Sequence, residues 1–304
     1  MSRIHDALKK AAEERASVDV VAAAPAFIDV QGDLLRPSVH GETPTPSLTG
    51  GVLPLRGESF LRFEELRKHC SHPIWQPDPR LRVFGEKGSE SKGAESFRTL
   101  RSRLHQIATT RTLKRILVTS SVPAEGKTFV ATNLALSIVR QPDRRVLLID
   151  ADLRASRLHV AFGAPSKPGL TEYLRGEADE YSVMQSGSNE NLCLIPGGSE
   201  VANPSELLLS ERMKRLLELA TSAFDYVILD SPPAIPVHDP NLLADFCDGT
   251  LFVVRAGVTD FELAARAAAE FEGKNLLGVV LNGVGPEATY GGYYAGSYGT
   301  VDRK

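Results

Sequence analysis

The sequence is short of cysteine, of net charge and of long apolar runs, and each shortage excludes a class of protein. Three cysteines among 304 residues match no metal-ligand spacing, so we expect reduced thiols rather than a disulfide framework or a zinc site. These are Cys70, Cys193 and Cys247. A formal charge of −3 gives no overall attraction to nucleic acid or anionic lipid. No apolar run approaches the roughly 18 to 20 residues that span a bilayer, and the N-terminus lacks a secretory apolar segment, so we expect a cytoplasmic chain.

The first positive signal is a loop between an apolar run and a helical run. Residues 121–128 read Ser-Val-Pro-Ala-Glu-Gly-Lys-Thr and follow the apolar run 115–119. They match the phosphate-binding pattern G-x-x-x-x-G-K-[ST] except at Ser121. Backbone N–H groups can meet a triphosphate, Lys127 can bridge its β and γ phosphates, and the Thr128 hydroxyl can hold Mg²⁺. The predicted ATP-binding residues are Ala124, Glu125, Gly126, Lys127, Thr128 and Phe129.

Acidic residues end two further predicted strands. The run 146–149 leads into Asp150 and Asp152, and the run 226–229 leads into Asp230. In a right-handed crossover the carboxyl ends of parallel strands meet at one edge of the sheet, so these carboxylates should lie beside the phosphate loop. The sequence therefore predicts a Mg²⁺–ATP site.

Helical and apolar segments alternate over the middle of the chain, which predicts an α/β fold, a parallel sheet of the P-loop type with helices on both faces. The predicted strands are 115–119, 146–149, 192–195, 226–229, 250–254 and 277–282, and the predicted helices lie near 93–107, 128–140, 204–219 and 260–272. We divide the chain into an amphipathic helix (1–16), a flexible linker (17–88), a P-loop domain (89–287) and a tyrosine-rich tail (288–304). Within the linker we expect one short helix near 61–66 and Trp75 against the domain.

A charged stripe lies on the helix before the first predicted strand. Glu95, Arg98 and Arg101 recur every three residues, which places them along one face. This stripe is either an ordinary solvated face or a fork of guanidinium groups offered to a carboxylate on a neighbouring subunit.

The C-terminal segment concentrates tyrosine. Four of the seven tyrosines of the chain fall within nine positions, among glycines that deny the segment a helix. They are Tyr290, Tyr293, Tyr294 and Tyr298. The segment is either a sticky tail without a specific role or a set of accessible phenols that the chain phosphorylates itself.

Taken in order, these motifs resemble the bacterial tyrosine kinases of the capsule and exopolysaccharide machinery, the BY-kinases, in their soluble form. The resemblance covers about residues 90–298. It includes the phosphate loop as Walker A, Asp150-Ala-Asp152-Leu-Arg154 as Walker A′, and Asp230 as Walker B. The stripe at Glu95, the segment 203–208 and the tyrosine tail match further family motifs.

The resemblance implies Mg-ATP as phosphoryl donor and tyrosine as acceptor. Lys127 would stabilise the phosphates, while Thr128, Asp150, Asp152 and Asp230 would organise Mg²⁺. Asp150 or Asp152 would assist deprotonation of the phenol. A ring would form through Glu95, Arg98 and Arg101, with each tail entering the neighbouring site.

Two departures qualify that expectation. Ala124 stands where the family commonly has glycine, which matters if that backbone needs a positive φ. The family's membrane-spanning part is absent, so a transmembrane activator of the polysaccharide co-polymerase type would be a separate chain, and membrane contact would be through it. The alternatives are an ATP-gated scaffold and a positioning ATPase of the plasmid-partition type. The latter carries a lysine where this chain has Val122.

Overall fold

The computed structural model describes the strand at 26–29, residues 62–84 and residues 93–284. The predicted N-terminal helix (1–16) and the tyrosine tail (288–304) lie outside the described residues. In the described part, no helix combines the length and apolar character required to cross a bilayer.

The centre of the molecule is an eight-stranded sheet. In chain order its strands are β1 (Ala26–Asp29), β2 (Arg115–Ser120), β3 (Val146–Asp150), β4 (Gln185–Ser186), β5 (Leu192–Ile195), β6 (Tyr226–Asp230), β7 (Gly249–Arg255) and β8 (Leu276–Asn282). Their spatial order is β1-β8-β7-β2-β6-β3-β5-β4. The six strands from β8 to β5 in this order are parallel, while β1 and β4 pair antiparallel at the two edges. All six parallel strands were predicted, so the expected α/β class is confirmed.

Both faces of the sheet are buried, which explains why its strands are continuous apolar runs. Along β3, Leu147 and Ile149 belong to one core layer, while Val146 and Leu148 belong to the layer on the opposite face. Such runs are typical of parallel strands covered by helices on two sides.

Ten α-helices cover the sheet in the described residues. They are α1 (Phe63–His69), α2 (Ala94–Thr110), α3 (Lys127–Ile138), α4 (Leu158–Phe162), α5 (Leu170–Leu174), α6 (Glu180–Val183), α7 (Pro204–Leu208), α8 (Glu211–Ala223), α9 (Asp239–Ala244) and α10 (Phe261–Ala269). The helix predicted at 204–219 is interrupted. The first helix, α7, ends at Leu208, and Ser210 caps the start of α8, where its hydroxyl accepts a hydrogen bond from Met213 N–H.

The prediction of a flexible linker over 17–88 is wrong for residues 62–84, which we call the strap. In α1, Phe63 and Leu66 are buried, and the Phe63 ring meets Phe224 at 5.4 Å. Trp75 packs on Phe162 of α4 at 5.1 Å between ring centroids. The strand at 26–29 also falls within the predicted linker. Composition favoured a linker because the apolar residues here are sparse; most of them are nevertheless buried against the domain, although Ile74 is exposed.

A buried asparagine fixes the end of the strap to the helix that follows the phosphate loop. Asn133 of α3 is fully buried; its Oδ1 accepts from Val83 N–H at 2.8 Å. Its Nδ2 donates to the carbonyls of Leu81 at 2.9 Å and Phe129 at 2.8 Å. An asparagine in a helix interior is unfavourable unless its amide is satisfied, and here it is satisfied by the strap.

We expect Asn133→Ala to lower the free energy of unfolding by about 1–3 kcal/mol, because the Val83 N–H and the Leu81 carbonyl lose their partner. Urea denaturation measures this, and limited proteolysis should cut the strap faster. Asn189→Ala, which removes only a bond to the nearby Asn191 N–H, serves as the control. Equal losses in the two variants would contradict this account of Asn133.

Candidate active site

The phosphate loop joins the end of β2 to the start of α3 and needs a glycine immediately before Lys127. Gly126 has φ +95°, in the left-handed region, and a Cβ there would lie 2.0 Å from Asn282 Nδ2. Asn282 ends β8, and its Nδ2 donates to the carbonyl of Glu125 at 2.8 Å. The free N–H groups of the first turn of α3 are the anion-binding end of a helix of twelve residues.

Ala124 also adopts a left-handed backbone, with φ +66°. An L-residue with a side chain pays roughly 1–2 kcal/mol for this conformation. The family commonly has glycine at this position, and the backbone here does need a positive φ. Ala124 therefore strains the loop in a way that a glycine would relieve.

The Glu125 side chain turns away from the nucleotide side and braces the loop. One carboxylate oxygen accepts from Val122 N–H at 2.7 Å, and the other accepts from the Thr259 hydroxyl at 2.5 Å and Arg255 N–H at 3.3 Å. The carboxylate is buried and spans from the loop to the end of β7. Only the backbone of Glu125 is left to contact a nucleotide.

Asp150 ends β3 and organises the loop that follows it. Its Oδ2 accepts from the Ser156 hydroxyl at 2.6 Å and from the N–H groups of Arg157 and Leu158, both at 2.9 Å. Its Oδ1 faces Asp152 N–H at 3.3 Å. Complete burial raises the pKa of Asp150 to about 6, against the lowering effect of these hydrogen bonds.

Asp230 lies directly opposite Asp150, as its Cα partner across β3 and β6. Burial raises the pKa of Asp230 well above its ordinary value, and the nearby Asp150 raises it further, while Lys127 and a hydrogen bond from Thr128 lower it. The Oδ1 of Asp230 is buried without a hydrogen-bond partner. Two buried carboxyl groups side by side, one with an unsatisfied oxygen, form an environment suited to a cation.

The predicted site residues do not all contribute equally. Lys127, Thr128, Asp152 and Asp230 meet at the carboxyl edge of the sheet, and the Oδ1 of Asp152 also accepts from Ala155 N–H at 3.0 Å. The Phe129 ring instead packs on Phe97 of α2 at 5.9 Å, so only its backbone can face a phosphate.

The donor set fits Mg²⁺ in the manner of a nucleotide site rather than an all-protein cage. In the described part of the chain, no group of three histidine, cysteine, aspartate or glutamate side chains is placed to enclose a metal. Mg²⁺ usually takes one or two carboxylates plus phosphate oxygens and water, which Asp230, Asp152 and the Thr128 hydroxyl can accommodate.

A second network, not foreseen from the sequence, joins the loop after β3 to α7 and α9. Arg154 donates to the buried Asp239 at 2.7 and 3.3 Å and to the Ser205 hydroxyl at 3.1 Å. The sequence analysis also did not identify Asn282, whose side chain holds the phosphate loop at Glu125. Its position at the end of a predicted parallel strand was the available signal, because such ends share one edge of the sheet.

The three residues of the charged stripe on α2 do not all face solvent. Glu95 is exposed and pairs with Arg98 at 3.0 Å. Arg101 instead reaches inward, and its guanidinium donates to the Ser137 carbonyl of α3 at 2.6 Å. Burial lowers the pKa of Arg101, with the neighbouring Arg98 adding to the effect.

The fold and the loop define a P-loop nucleotide-binding domain, and a family model described as an AAA domain matches residues 114–255. The chain is 36% identical over 217 residues to tyrosine-protein kinase YwqD of Bacillus subtilis, covering 70% of this chain and 89% of YwqD. It is 35% identical over 230 residues to tyrosine-protein kinase CpsD of Streptococcus agalactiae, covering 74% and 98%.

A solved structure agrees with these relatives. The kinase domain of the Escherichia coli tyrosine kinase ETK is 34% identical, with a TM-score of 0.63, covering 71% of this chain and 83% of that domain. The chain belongs to the bacterial tyrosine kinase (BY-kinase) family, so its enzyme class is tyrosine-protein kinase. The expected resemblance is confirmed, which favours the kinase over the positioning ATPase.

We expect Ala124→Gly to raise the free energy of unfolding by about 0.5–1 kcal/mol, because relief of the positive φ exceeds the entropy that glycine adds to the unfolded chain. Thermal unfolding without nucleotide measures it. Ala202→Gly is the control, since Ala202 has no positive φ and should lose stability. A loss at position 124 equal to that at 202 would argue against strain.

We expect Asp230→Asn to raise the free energy of unfolding of the nucleotide-free protein at neutral pH, on the order of 1–3 kcal/mol. For an acid whose folded pKa exceeds its unfolded value of about 3.9, stability is full below that value and falls as pH rises through the folded pKa. As pH rises above about 4, the free energy of unfolding of the variant should therefore decline less than that of wild type.

If Asp230 is a Mg²⁺ ligand, as we infer from its unpartnered oxygen, the same variant should lose most of the stabilisation that Mg-ATP gives wild type. Denaturation with and without Mg-ATP over pH 5–8 measures both effects. Asp245→Asn removes only an ion pair with Lys274 in which Asp245 is largely exposed, so it should change stability by less than about 1 kcal/mol. A less stable Asp230→Asn protein at neutral pH would contradict the electrostatic account.

Proposed function

We propose that the protein is an ATP-dependent tyrosine autokinase that phosphorylates Tyr290, Tyr293, Tyr294 and Tyr298 in the tail of a neighbouring copy. The observation that carries this proposal is that the tyrosine-rich tail follows closely, in the sequence, a residue that contacts the phosphate loop. Asn282 contacts the loop at Glu125, and the tyrosine-rich segment begins only a few residues later. The family, the P-loop and the tyrosine cluster support the same conclusion.

In this proposal Lys127 and the N–H groups at the start of α3 hold the triphosphate. Thr128, Asp152 and Asp230 hold Mg²⁺, which supplies neutralisation of phosphate charge. Asp150 keeps the loop 151–158 in place through its four hydrogen bonds. Asp150 therefore positions Asp152 instead of binding the metal or accepting the phenol proton itself. This role is more limited than the one expected from the sequence.

Asp152 is the better candidate for accepting the phenol proton. A tyrosine has a pKa of about 10, so at neutral pH the attacking oxygen must transfer its proton as it bonds to the γ phosphorus and ADP leaves. The Oδ1 of Asp152 accepts one hydrogen bond, whereas the carboxylate of Asp150 accepts four. Alignment of the phenol and charge neutralisation supply the rest of the rate enhancement.

Phosphorylation in trans requires an assembly, and we place its contact on α2. Glu95 is exposed and pairs with Arg98, which is partly exposed, while Arg101 holds α2 to α3 through Ser137. Phosphates on several tail tyrosines would add about −1.5 to −2 charges each and favour release of the tail and dissociation of the ring.

The cellular role we propose is regulation of capsule or exopolysaccharide synthesis or export. A separate transmembrane protein of the polysaccharide co-polymerase type would activate the kinase and recruit it to the inner face of the membrane. The predicted helix at 1–16 is a candidate for docking to that partner.

A second candidate is an ATP-gated scaffold with little kinase activity. The positive φ of Ala124 favours it, because a strained phosphate loop can bind nucleotide and still align it poorly. The two candidates differ in whether phosphate reaches the tail.

Incubation with Mg-ATP should add phosphate to the tail of wild type, and Lys127→Met should add none while retaining its fold. Intact mass and phosphotyrosine mapping measure this, with Lys214→Met on the surface of α8 as the control. Wild type that binds ATP but gains no phosphate, alone and with a transmembrane activator, would support the scaffold instead.

A mixing experiment tests transfer in trans. Lys127→Met with an intact tail is combined with a chain whose four tail tyrosines are phenylalanine. Only the first chain has acceptors and only the second has the lysine, so phosphate should appear on the Lys127→Met chain. If it stays unmodified while wild type modifies itself, transfer is within one chain.

We expect Glu95→Lys to reduce assembly and the rate of phosphorylation in trans at least tenfold, because it places a cation beside Arg98 at the proposed contact. Light scattering gives the mass and the mixing assay gives the rate. Glu218→Lys, an equal change of charge on the exposed face of α8, is the control. Unchanged assembly in Glu95→Lys would remove α2 from the interface.

A further inference from the structure

Two cysteines that are distant in sequence meet where the strap crosses the edge of the sheet. Cys70 follows α1, and Cys193 lies in β5 opposite Ser186 of β4. The strap pairs with this edge, since Ser71 N–H donates to the Met184 carbonyl at 3.1 Å and Ser186 N–H donates to the Ser71 carbonyl at 2.8 Å. Strand β4 thus lies between the strap and β5, and the Cys70 and Cys193 side chains enter the same core layer, where the two thiols interact.

Three neighbours act on the Cys70 thiol, which is buried and donates to the Arg67 carbonyl at 3.7 Å. His72 Nε2 lies 3.8 Å from the Cys70 sulfur and contacts the Arg67 carbonyl at 2.7 Å. The Arg67 guanidinium pairs with Glu190, from the loop before β5, at 2.8 Å. The hydrogen bond from Cys193, followed by His72 and Arg67, lowers the pKa of Cys70 to about 7 against the opposing effect of burial.

Cys193 has the complementary property. It is fully buried, and the Cys70 sulfur together with burial raises its pKa, so Cys193 stays protonated while Cys70 ionises. The third cysteine, Cys247, lies elsewhere in the core, and burial raises its pKa as well. A thiol of lowered pKa beside a second thiol is a pair from which a disulfide can form once the first is oxidised.

We propose that Cys70 and Cys193 form an oxidation site for hydroperoxides, with Cys70 as the attacking sulfur and Cys193 as the resolving one. The Cys70 thiolate attacks a peroxide oxygen, which breaks the O–O bond, releases hydroxide or alkoxide and leaves a sulfenic acid. The Cys193 sulfur then attacks that sulfenic sulfur. One disulfide forms, water leaves, and the peroxide has taken up two electrons from the two thiols.

The disulfide would tie the strap covalently to a strand that reaches the active site. β5 ends at Ile195, and the chain continues to Gly197, where a Cβ would lie 2.7 Å from the Ser156 hydroxyl and 3.8 Å from the Asp150 carboxyl carbon. The strap itself continues to α4, where Gln76 N–H and Asp78 N–H donate to the carbonyls of Gly163 and Ala161, both at 3.3 Å. Oxidation would therefore fix a segment that borders the loop organised by Asp150.

The test uses reduced, nucleotide-free full chain treated with hydrogen peroxide, followed by peptide mapping without reductant. We expect one cross-link between the Cys70 and Cys193 peptides, a loss of two hydrogens from the intact mass, and reversal by dithiothreitol. Cys247→Ser is the matched control and should cross-link as wild type does, whereas Cys70→Ser should not. Sulfinic acid at Cys70 without a cross-link, or oxidation of Cys247 at the same rate, would overturn the proposal.

A measurement on wild type does not depend on the folding of any variant. The rate of iodoacetamide labelling at Cys70 should reach half its maximum near pH 7, because Cys193, His72 and Arg67 lower the pKa of Cys70. Half-maximal labelling at or above the pH of an ordinary thiol, about 8.5, would overturn the assignment of Cys70 as the attacking sulfur. Neither result bears on the kinase proposal, because no nucleotide is present.

Discussion

The buried contact between Asp150 and Asp230 is the constraint on which the rest of the site depends. The parallel pairing of β3 and β6 places the two carboxyl groups side by side at the edge of the sheet. One of them is fully engaged with the loop 151–158, while the other retains an unsatisfied oxygen. Two buried acids are costly without a cation, so the arrangement favours states in which a metal and a nucleotide are bound.

The strand ends around this pair hold the phosphate loop from the opposite side. Glu125 bonds to the end of β7, and Asn282 at the end of β8 bonds to the backbone of Glu125. The positive φ angles of Ala124 and Gly126 are maintained by these contacts. The tail at 288–304 follows β8 in the sequence after five residues, so the segment that we propose as substrate is joined by a short stretch of chain to Asn282, which touches the nucleotide loop.

Much of this could be read from the sequence because the signals were local. The six parallel strands are apolar runs, and the three acids and the lysine stand at strand ends or in the loop, where parallel topology brings them together. Contacts between distant segments could not be read. The link between Asn133 and the strap, the Arg154–Asp239 pair and the meeting of Cys70 with Cys193 depend on where the chain returns, which no periodicity encodes.

The most direct test of the central claim is the number of protons released when Mg-ATP binds, measured by titration calorimetry at about pH 6.5 in buffers of different ionisation enthalpy. With the pKa values of Asp150 and Asp230 raised in the free protein, binding of the metal should expel protons beyond those that ATP itself releases. Asp230→Asn should release fewer. If wild type and Asp230→Asn release the same number, the paired carboxyl groups are not the site that the metal neutralises.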